Sequence, residues 1–172
     1  TETAVGQGVH LISEDAFALE GNWEETAVSG DLRGESCAWY AFSCDEADFE
    51  RTYSRTTDPA AALSFPFNGQ AIELIYSTGP NGGIWLVELD GAPLLDADGV
   101  QTQIDSTHPS DRYDVEAMFQ AETEGEHELR LVNSDGSAIA VSQVEVLPPL
   151  RTSNLGIILA MLFALAAVGA VF

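Results

Sequence analysis

From residue 12 to residue 147 the chain is written in short runs of alternating apolar and polar side chains. Trp85, Val87 and Leu89 alternate with Leu86 and Glu88, and His127, Leu129 and Leu131 alternate with Glu128, Arg130 and Val132. A period of two sends successive side chains to opposite faces of a strand. The same reading predicts strands at 16–19, 49–56, 61–67, 71–77, 84–89, 92–95, 100–104, 114–120, 127–132 and 138–146. Turn signals separate them: Asn68-Gly69, Asp90-Gly91 and Asn133-Ser-Asp-Gly136, with a further turn expected at 122–126. No helical period interrupts this before residue 155. About nine or ten short strands at such spacing predict an all-β fold, an antiparallel jelly-roll β-sandwich over residues 12–147. Residues 1–11 are small and polar and predict a flexible N-terminus, and 148–154, with Pro148-Pro149, predict a linker.

The pattern changes at Leu155–Phe172, LGIILAMLFALAAVGAVF, which carries no charged side chain. At ~1.5 Å per residue a helix of this length is about 27 Å long, enough to cross a hydrocarbon core. A single C-terminal transmembrane helix is therefore expected. Gly156, Ala160, Ala164 and Ala167 fall on one face of it. Small residues there let helices approach closely, so other membrane protein subunits are the expected partners. The first residue is Thr rather than Met, which fits removal of a signal peptide and places the sandwich in the periplasm or outside the cell.

Charge narrows the function. The net charge is −22, from 28 acidic residues against 6 arginines and no lysine. Nucleic-acid partners are excluded, because their phosphates need Lys and Arg. The acidity leaves open a high-salt habitat or an ordinary acidic envelope protein. Cys37 and Cys44 predict a disulfide in an oxidising compartment. The loop between them carries Trp39, Tyr40 and Phe42, rigid aromatics suited to a protein or sugar contact, or to burial. Asp96 and Asp98, like Asp45, Glu46 and Asp48, leave open a structural calcium or plain solvated loops.

Catalysis is not expected: no G-x-S-x-G elbow is present, and the histidines suggest no triad. His127 lies on the strand face of Leu129 and Leu131, a core or strand-end position. The glycines of Ser77–Gly83 sit between two strand-like runs with no lysine after them. They predict a turn, not a phosphate loop.

Several of these segments together resemble a known family. They are Asp15-Ala-Phe17 with Glu20-Gly-Asn-Trp23, Ala62–Gly69 (ALSFPFNG), Ile72–Pro80 (IELIYSTGP), Gly82–Gly91 (GGIWLVELDG), Glu124–Leu131 (EGEHELRL) and Val144-Glu-Val146. Their order resembles the galactose-binding-like jelly-roll modules of exported proteins, many of them carbohydrate-binding modules. The resemblance covers roughly residues 12–147 and implies the fold; Trp23 and Trp85 are separately expected in the core. Where that family often has Ile-Asp-Tyr before its last Val-Glu-Val, this chain has Val141-Ser142-Gln143, so sugar contacts are not carried over from there. Two functions are then expected. The first is a non-catalytic accessory subunit of a larger membrane assembly, of respiratory or photosynthetic type. The alternative is a carbohydrate-binding or adhesive surface module.

Overall fold

A computed structural model describes residues 4–30 and 49–149. Ten strands make up this part: β1 Gly8–Leu11, β2 Ala18–Glu20, β3 Glu24–Gly30, β4 Phe49–Thr56, β5 Ala62–Thr78, β6 Ile84–Leu89, β7 Ala92–Pro93, β8 Gln103–Asp105, β9 Arg112–Asn133 and β10 Ile139–Val146. All strand pairings are antiparallel, in the order β3-β4-β10-β5-β9-β6-β7, with β1 on β10, β2 on β5 and β8 on β6. Among the described residues no helix is long and apolar enough to cross a membrane. The expected span 155–172, with Gly156, Ala160, Ala164 and Ala167, lies outside the described residues. So does the expected Cys37–Cys44 bridge.

The frame is one long ribbon. β5 and β9 pair from Ala62↔Val132 to Thr78↔Arg112, with register shifts at Gly69/Ala71 and Tyr76/Thr78. The first half of β5 borders β2, and the matching half of β9 borders β6. The second half of β5 borders β10, which carries β4 and β1. Each half thus belongs to a different layer. One core joins both: Leu63, Phe65 and Phe67 from the first half of β5, Ile72, Leu74 and Tyr76 from the second, with Trp85, Val87, Leu129, Leu131, Val141 and Val144. This is a β-sandwich whose layers share their two longest strands.

The ribbon corrects two expectations. Asn68-Gly69 is not a hairpin: Asn68 pairs with Glu126 and Gly69 with Gly125, and β5 runs straight through. The expected turn at 122–126 is likewise the interior of β9. Asn-Gly is a strong local turn signal, but a neighbouring strand that runs alongside both flanks overrides it. The glycine serves close packing instead, since a Cβ on Gly69 would come 2.9 Å from Val146 Cγ1. The slip there also shifts the phase, so Phe67 and Ile72, five residues apart, both face the core. In β10 a bulge between Val141 and Gln143 does the same for Val141 and Val144.

The start of the chain is tied down as well. Val9 pairs with Glu145 and Leu11 with Gln143, and Val5 bridges Phe67. The exposed half of β10 supplied an edge with free ladder groups, which residues 8–11 complete.

Asp90-Gly91 is the turn the sequence predicts. Leu89 pairs with Ala92, and both turn residues have positive φ, 55° and 75°. Asp90 does more than turn: its Oδ2 lies 2.7 Å from His127 Nδ1, and its Oδ1 accepts the Glu128 N–H at 2.9 Å. His127 pairs with Phe67 inside the ribbon, their rings tilted with centroids 5.5 Å apart. Burial disfavours the charged imidazole, but the Asp90 hydrogen bond, the Thr123 carbonyl and the Asp90 charge outweigh it and raise the His127 pKa above its ordinary 6.5. Burial likewise disfavours the charged Asp90 carboxylate, yet the bonds from His127 and the Glu128 N–H outweigh it and hold Asp90 below 3.8. A raised imidazole stabilises the fold below its unfolded value and loses that contribution as pH rises through the folded one. A lowered carboxylate loses its contribution as pH falls through its folded value. The pair therefore contributes fully between about pH 4 and 6.5 and fades on both sides. NMR titration is expected to place the His127 midpoint above 6.5. Asp90→Asn, which suits the same turn, is expected to bring it down.

Candidate functional site

The glycine-rich stretch of 79–83 closes one end of the sandwich, and the N–H groups of its three glycines are already spent. Gly79 N donates to the Ser106 carbonyl at 2.9 Å, Gly82 N to the Gly79 carbonyl at 3.0 Å, and Gly83 N to Ser106 Oγ at 2.9 Å. A phosphate cradle needs free N–H groups aimed at one point. Here the loop is a turn wedged between residues 106–108 and 137–138, bridging Thr107 and Ala138. Ser106 is buried and acts as its keystone. Its hydroxyl accepts from Gly83 N and lies 3.0 Å from the Gly83 carbonyl and 2.8 Å from that of Ala138. Asn133 does the same for the neighbouring turn. Its amide donates to the carbonyls of Asp58 and Ser137, and its carbonyl accepts from Asp135 N and Gly136 N.

This braced end carries two polar recesses. One, of about 60 Å³, has Ser77, Gly79, Asn81, Asp111, Ala140 and Arg55 on its wall. The other, of about 320 Å³, is lined by Asn22, Glu24, Arg55, Thr56, Thr57, Asp58 and Pro59. Arg55 borders both. It is held at a fixed register: Arg55 pairs with Ala140, which pairs with Ser77, so the three form one row across β4, β10 and β5. Arg55 forms no ion pair among the described residues; those of Arg51 and Arg130 go to Asp114, and to Glu20 and Glu88. Asp58 is a rigid wall. Its carboxylate accepts from Ala60 N and Asn22 N, and these bonds hold its pKa below the ordinary value.

Two residues back along β4, on the same face as Arg55, lies Tyr53. Its hydroxyl donates to Asp114 Oδ1 at 2.7 Å and accepts from Asp114 N at 3.1 Å. Arg51 Nη1 reaches the same Oδ1 at 2.7 Å. Burial, then the Asp114 carboxylate, pushes the Tyr53 hydroxyl up, so it stays protonated as a donor. Asp114 takes φ 54°, a left-handed conformation that Asp tolerates, where β9 slips its register. That slip lays Tyr113 against Tyr53, ring centroids 5.5 Å apart, with Tyr113 half-buried. The arrangement sets a half-buried aromatic edge beside Tyr53 and the Arg51–Asp114 ion pair.

The residues singled out from sequence fare differently. Trp39, Tyr40 and Phe42 lie outside the described residues. Their segment leaves β3 at Gly30 and re-enters β4 at Phe49, the end of that hairpin opposite Arg55. In the loop between β7 and β8, Asp96 stands two residues before Asp98. Its Oδ1 accepts the N–H groups of Asp98 and Val100, each at 2.9 Å, so it caps its own loop. Among the described residues no group of three or more histidines, cysteines or carboxylates is arranged to hold a metal. Nothing among them supports docking to a membrane assembly. Arg55, Tyr113 and Ser106 went unnoticed in the sequence, and Asn133 reads there only as the start of a turn. The alternation Arg51-Tyr53-Arg55 carried a signal, because half of that face is cationic in a chain with 6 cations against 28 acids.

No known protein-family pattern matches the chain, and no curated protein sequence matches it. Its backbone is similar to several solved β-structures. A family two carbohydrate esterase from Cellvibrio japonicus shares 14% identity at a TM-score of 0.47, over 82% of this chain and 35% of the esterase. A carbohydrate-binding module solved with calcium and xylotriose shares 12% at 0.43, over 80% of this chain and 97% of the module. An exo-beta-1,3-galactanase from Phanerochaete chrysosporium, solved with beta-1,3-galactotriose, shares 12% at 0.46, over 83% of this chain and 29% of the galactanase. The chain thus spans about a third of the esterase's length. The sandwich itself is read from the strand pairing and the shared core, not from these similarities.

Proposed function

We propose that the described domain is a non-catalytic glycan-binding module, seating a saccharide in the groove beside Arg55 with Tyr113 at its edge. The observation that carries this is Arg55, a cation with no ion-pair partner among the described residues that borders two polar recesses. A guanidinium offers a planar fork of donors that matches paired hydroxyls as well as anions. Around it stand the amide of Asn22, the carboxylate of Glu24 and the hydroxyl of Thr57, the mixed donor and acceptor set a sugar ring requires. The groove, about 320 Å³, falls at the small end of ligand pockets, ~300–1,000 Å³. The galactose-binding-like resemblance agrees with this reading, and an extracytoplasmic location belongs to it.

The test is a glycan array probed with the full chain, followed by calorimetry on the best saccharide. Arg55→Ala is expected to weaken binding at least tenfold and Tyr113→Ala several-fold, with melting temperatures near that of the parent. An array without any retained saccharide, or Arg55→Ala binding like the parent, overturns the proposal. Binding lost on Trp39→Ala but kept on Arg55→Ala moves the site to the segment of 31–48.

A further inference from the structure

The outer face of the β1-β10-β5-β9 layer is unusual for so acidic a chain. Pairing places Val9, Glu145, Glu73 and Met118 in one row across the four strands. The next row is Leu11, Gln143, Ile75 and Glu116. Both rows lie on the face opposite the core, because the intervening Val144 and Leu74 are buried in it; within the second row Ile75 is itself covered, at 6% exposure. Large exposed apolar side chains among the described residues are Val9, Leu11, Leu95, Val100 and Met118, at 49–64% exposure. Three of these five fall on this one face. Scattered exposed apolar residues need no explanation, but a cluster on a flat sheet face does.

Glu145 and Glu73 lie between Val9 and Met118, and Glu116 stands beside Met118 at the end of the second row. Glu73 stands directly beside Glu145 and one step from Glu116. Like charges opposite one another on a sheet are destabilising. Burial, then the charges of Glu116 and Glu145, pushes the Glu73 carboxyl above its ordinary range, and no cation offsets them. The face therefore carries Val9 and Leu11 at one side and Met118 at the other with glutamates among them, and its neighbouring cation, Arg51 on β4, is engaged by Asp114.

We propose that this face docks a protein surface on which lysine or arginine side chains sit beside apolar ones. Charge complementarity selects that occupant. A second copy would set three glutamates against three more. The chain's own segment of 31–48 brings Asp31, Glu35, Asp45, Glu46 and Asp48 against Arg33 alone, and the segment of 150–172 brings a single cation, Arg151. A basic partner supplies the missing counter-charge and covers Val9, Leu11 and Met118 together. The proposal is independent of the glycan reading, since the groove at Arg55 lies on other residues.

The probe is a synthetic peptide alternating leucine and lysine, titrated into the full isotope-labelled chain and followed by NMR. Perturbations are expected to concentrate on Val9, Leu11, Glu73 and Met118. Met118→Asp, and separately Glu73→Gln with Glu116→Gln, are each expected to weaken binding at least tenfold without lowering the melting temperature. A peptide with serine in place of leucine is expected to bind at least tenfold more weakly. Perturbations spread evenly over the acidic surface, or indifference to Met118→Asp, overturn the proposal. So do shifts on these residues that grow with protein concentration alone, which mean a second copy. A face that no peptide perturbs is covered by the chain itself, and that result also overturns it.

Discussion

Trp85→Ala is expected to cost roughly 3–5 kcal/mol, the range for removing a large aromatic from a packed interior. At ~2–4 °C per kcal/mol for a chain of this size, the melting temperature falls by about 10 °C. The reason is position. Trp85 is fully buried, faces Ile104 on β8 and Asn133 on β9, and packs against Trp23 with ring centroids 6.0 Å apart. Its removal opens a void at the junction of three strands, which backbone pairing on both sides prevents from closing. Trp85→Phe discriminates packing from polar effects. The buried indole N–H has no acceptor, so phenylalanine loses volume but also removes an unpaired donor. Its expected cost stays below about 1.5 kcal/mol. Trp23, half-buried with its N–H donated to the Glu20 carbonyl, is expected to cost less than Trp85 when truncated. Thermal melts of the three variants decide this; equal losses for Trp85→Ala and Trp23→Ala contradict the assigned core.

The second large effect is Gly82→Ala, a change of one methyl group. A Cβ at this position would overlap the carbonyl of Ser106 and come 2.8 Å from Thr107 N. Both obstacles are backbone, so no rotamer change relieves them. The strand–loop contact must move, and with it the bonds of Ser106 to Gly83 and Ala138. A cost of roughly 3 kcal/mol or more is expected, above the usual penalty of overpacking, because a buried hydrogen-bond network is lost along with the fit. Gly91→Ala serves as the comparison. Its Cβ meets nothing within 4 Å, but φ is 75°, so only the left-handed conformation is penalised, by about 1 kcal/mol. Denaturant midpoints measure both. A Gly82→Ala protein as stable as the parent refutes the close packing of the loop, and with it the braced recess at Arg55.

Much of this fold was legible because local chemistry and tertiary pairing agreed. Asp90-Gly91 has the residues a two-residue turn demands, and nothing competes with it. The alternation around Trp85 and Leu129 shows directly which face is buried. The sequence misled where the two levels part. Asn68-Gly69 looks like a hairpin in isolation, yet β9 pairs on both sides of it, an interaction more than fifty residues away in the chain. The site was less legible still. Ser106 in a loop and Asn133 at the end of β9 look ordinary, and only the fold shows that each satisfies several backbone groups. Arg55 matters through what it lacks among the described residues, an ion-pair partner, and that depends on three dimensions. The aromatic and transmembrane features most visible in the sequence lie outside the described residues.

The shared ribbon sets a limit on how this domain comes apart. β5 and β9 each donate one half to one layer and the other half to the second, so neither layer owns a complete set of strands. Peeling one layer away unzips the other, and partial opening has no stable stopping point. Unfolding should register as a single step by every probe, and a cut within 62–78 or 112–133 should abolish both halves at once, whereas the chain tolerates new ends only at connections such as Asp90-Gly91.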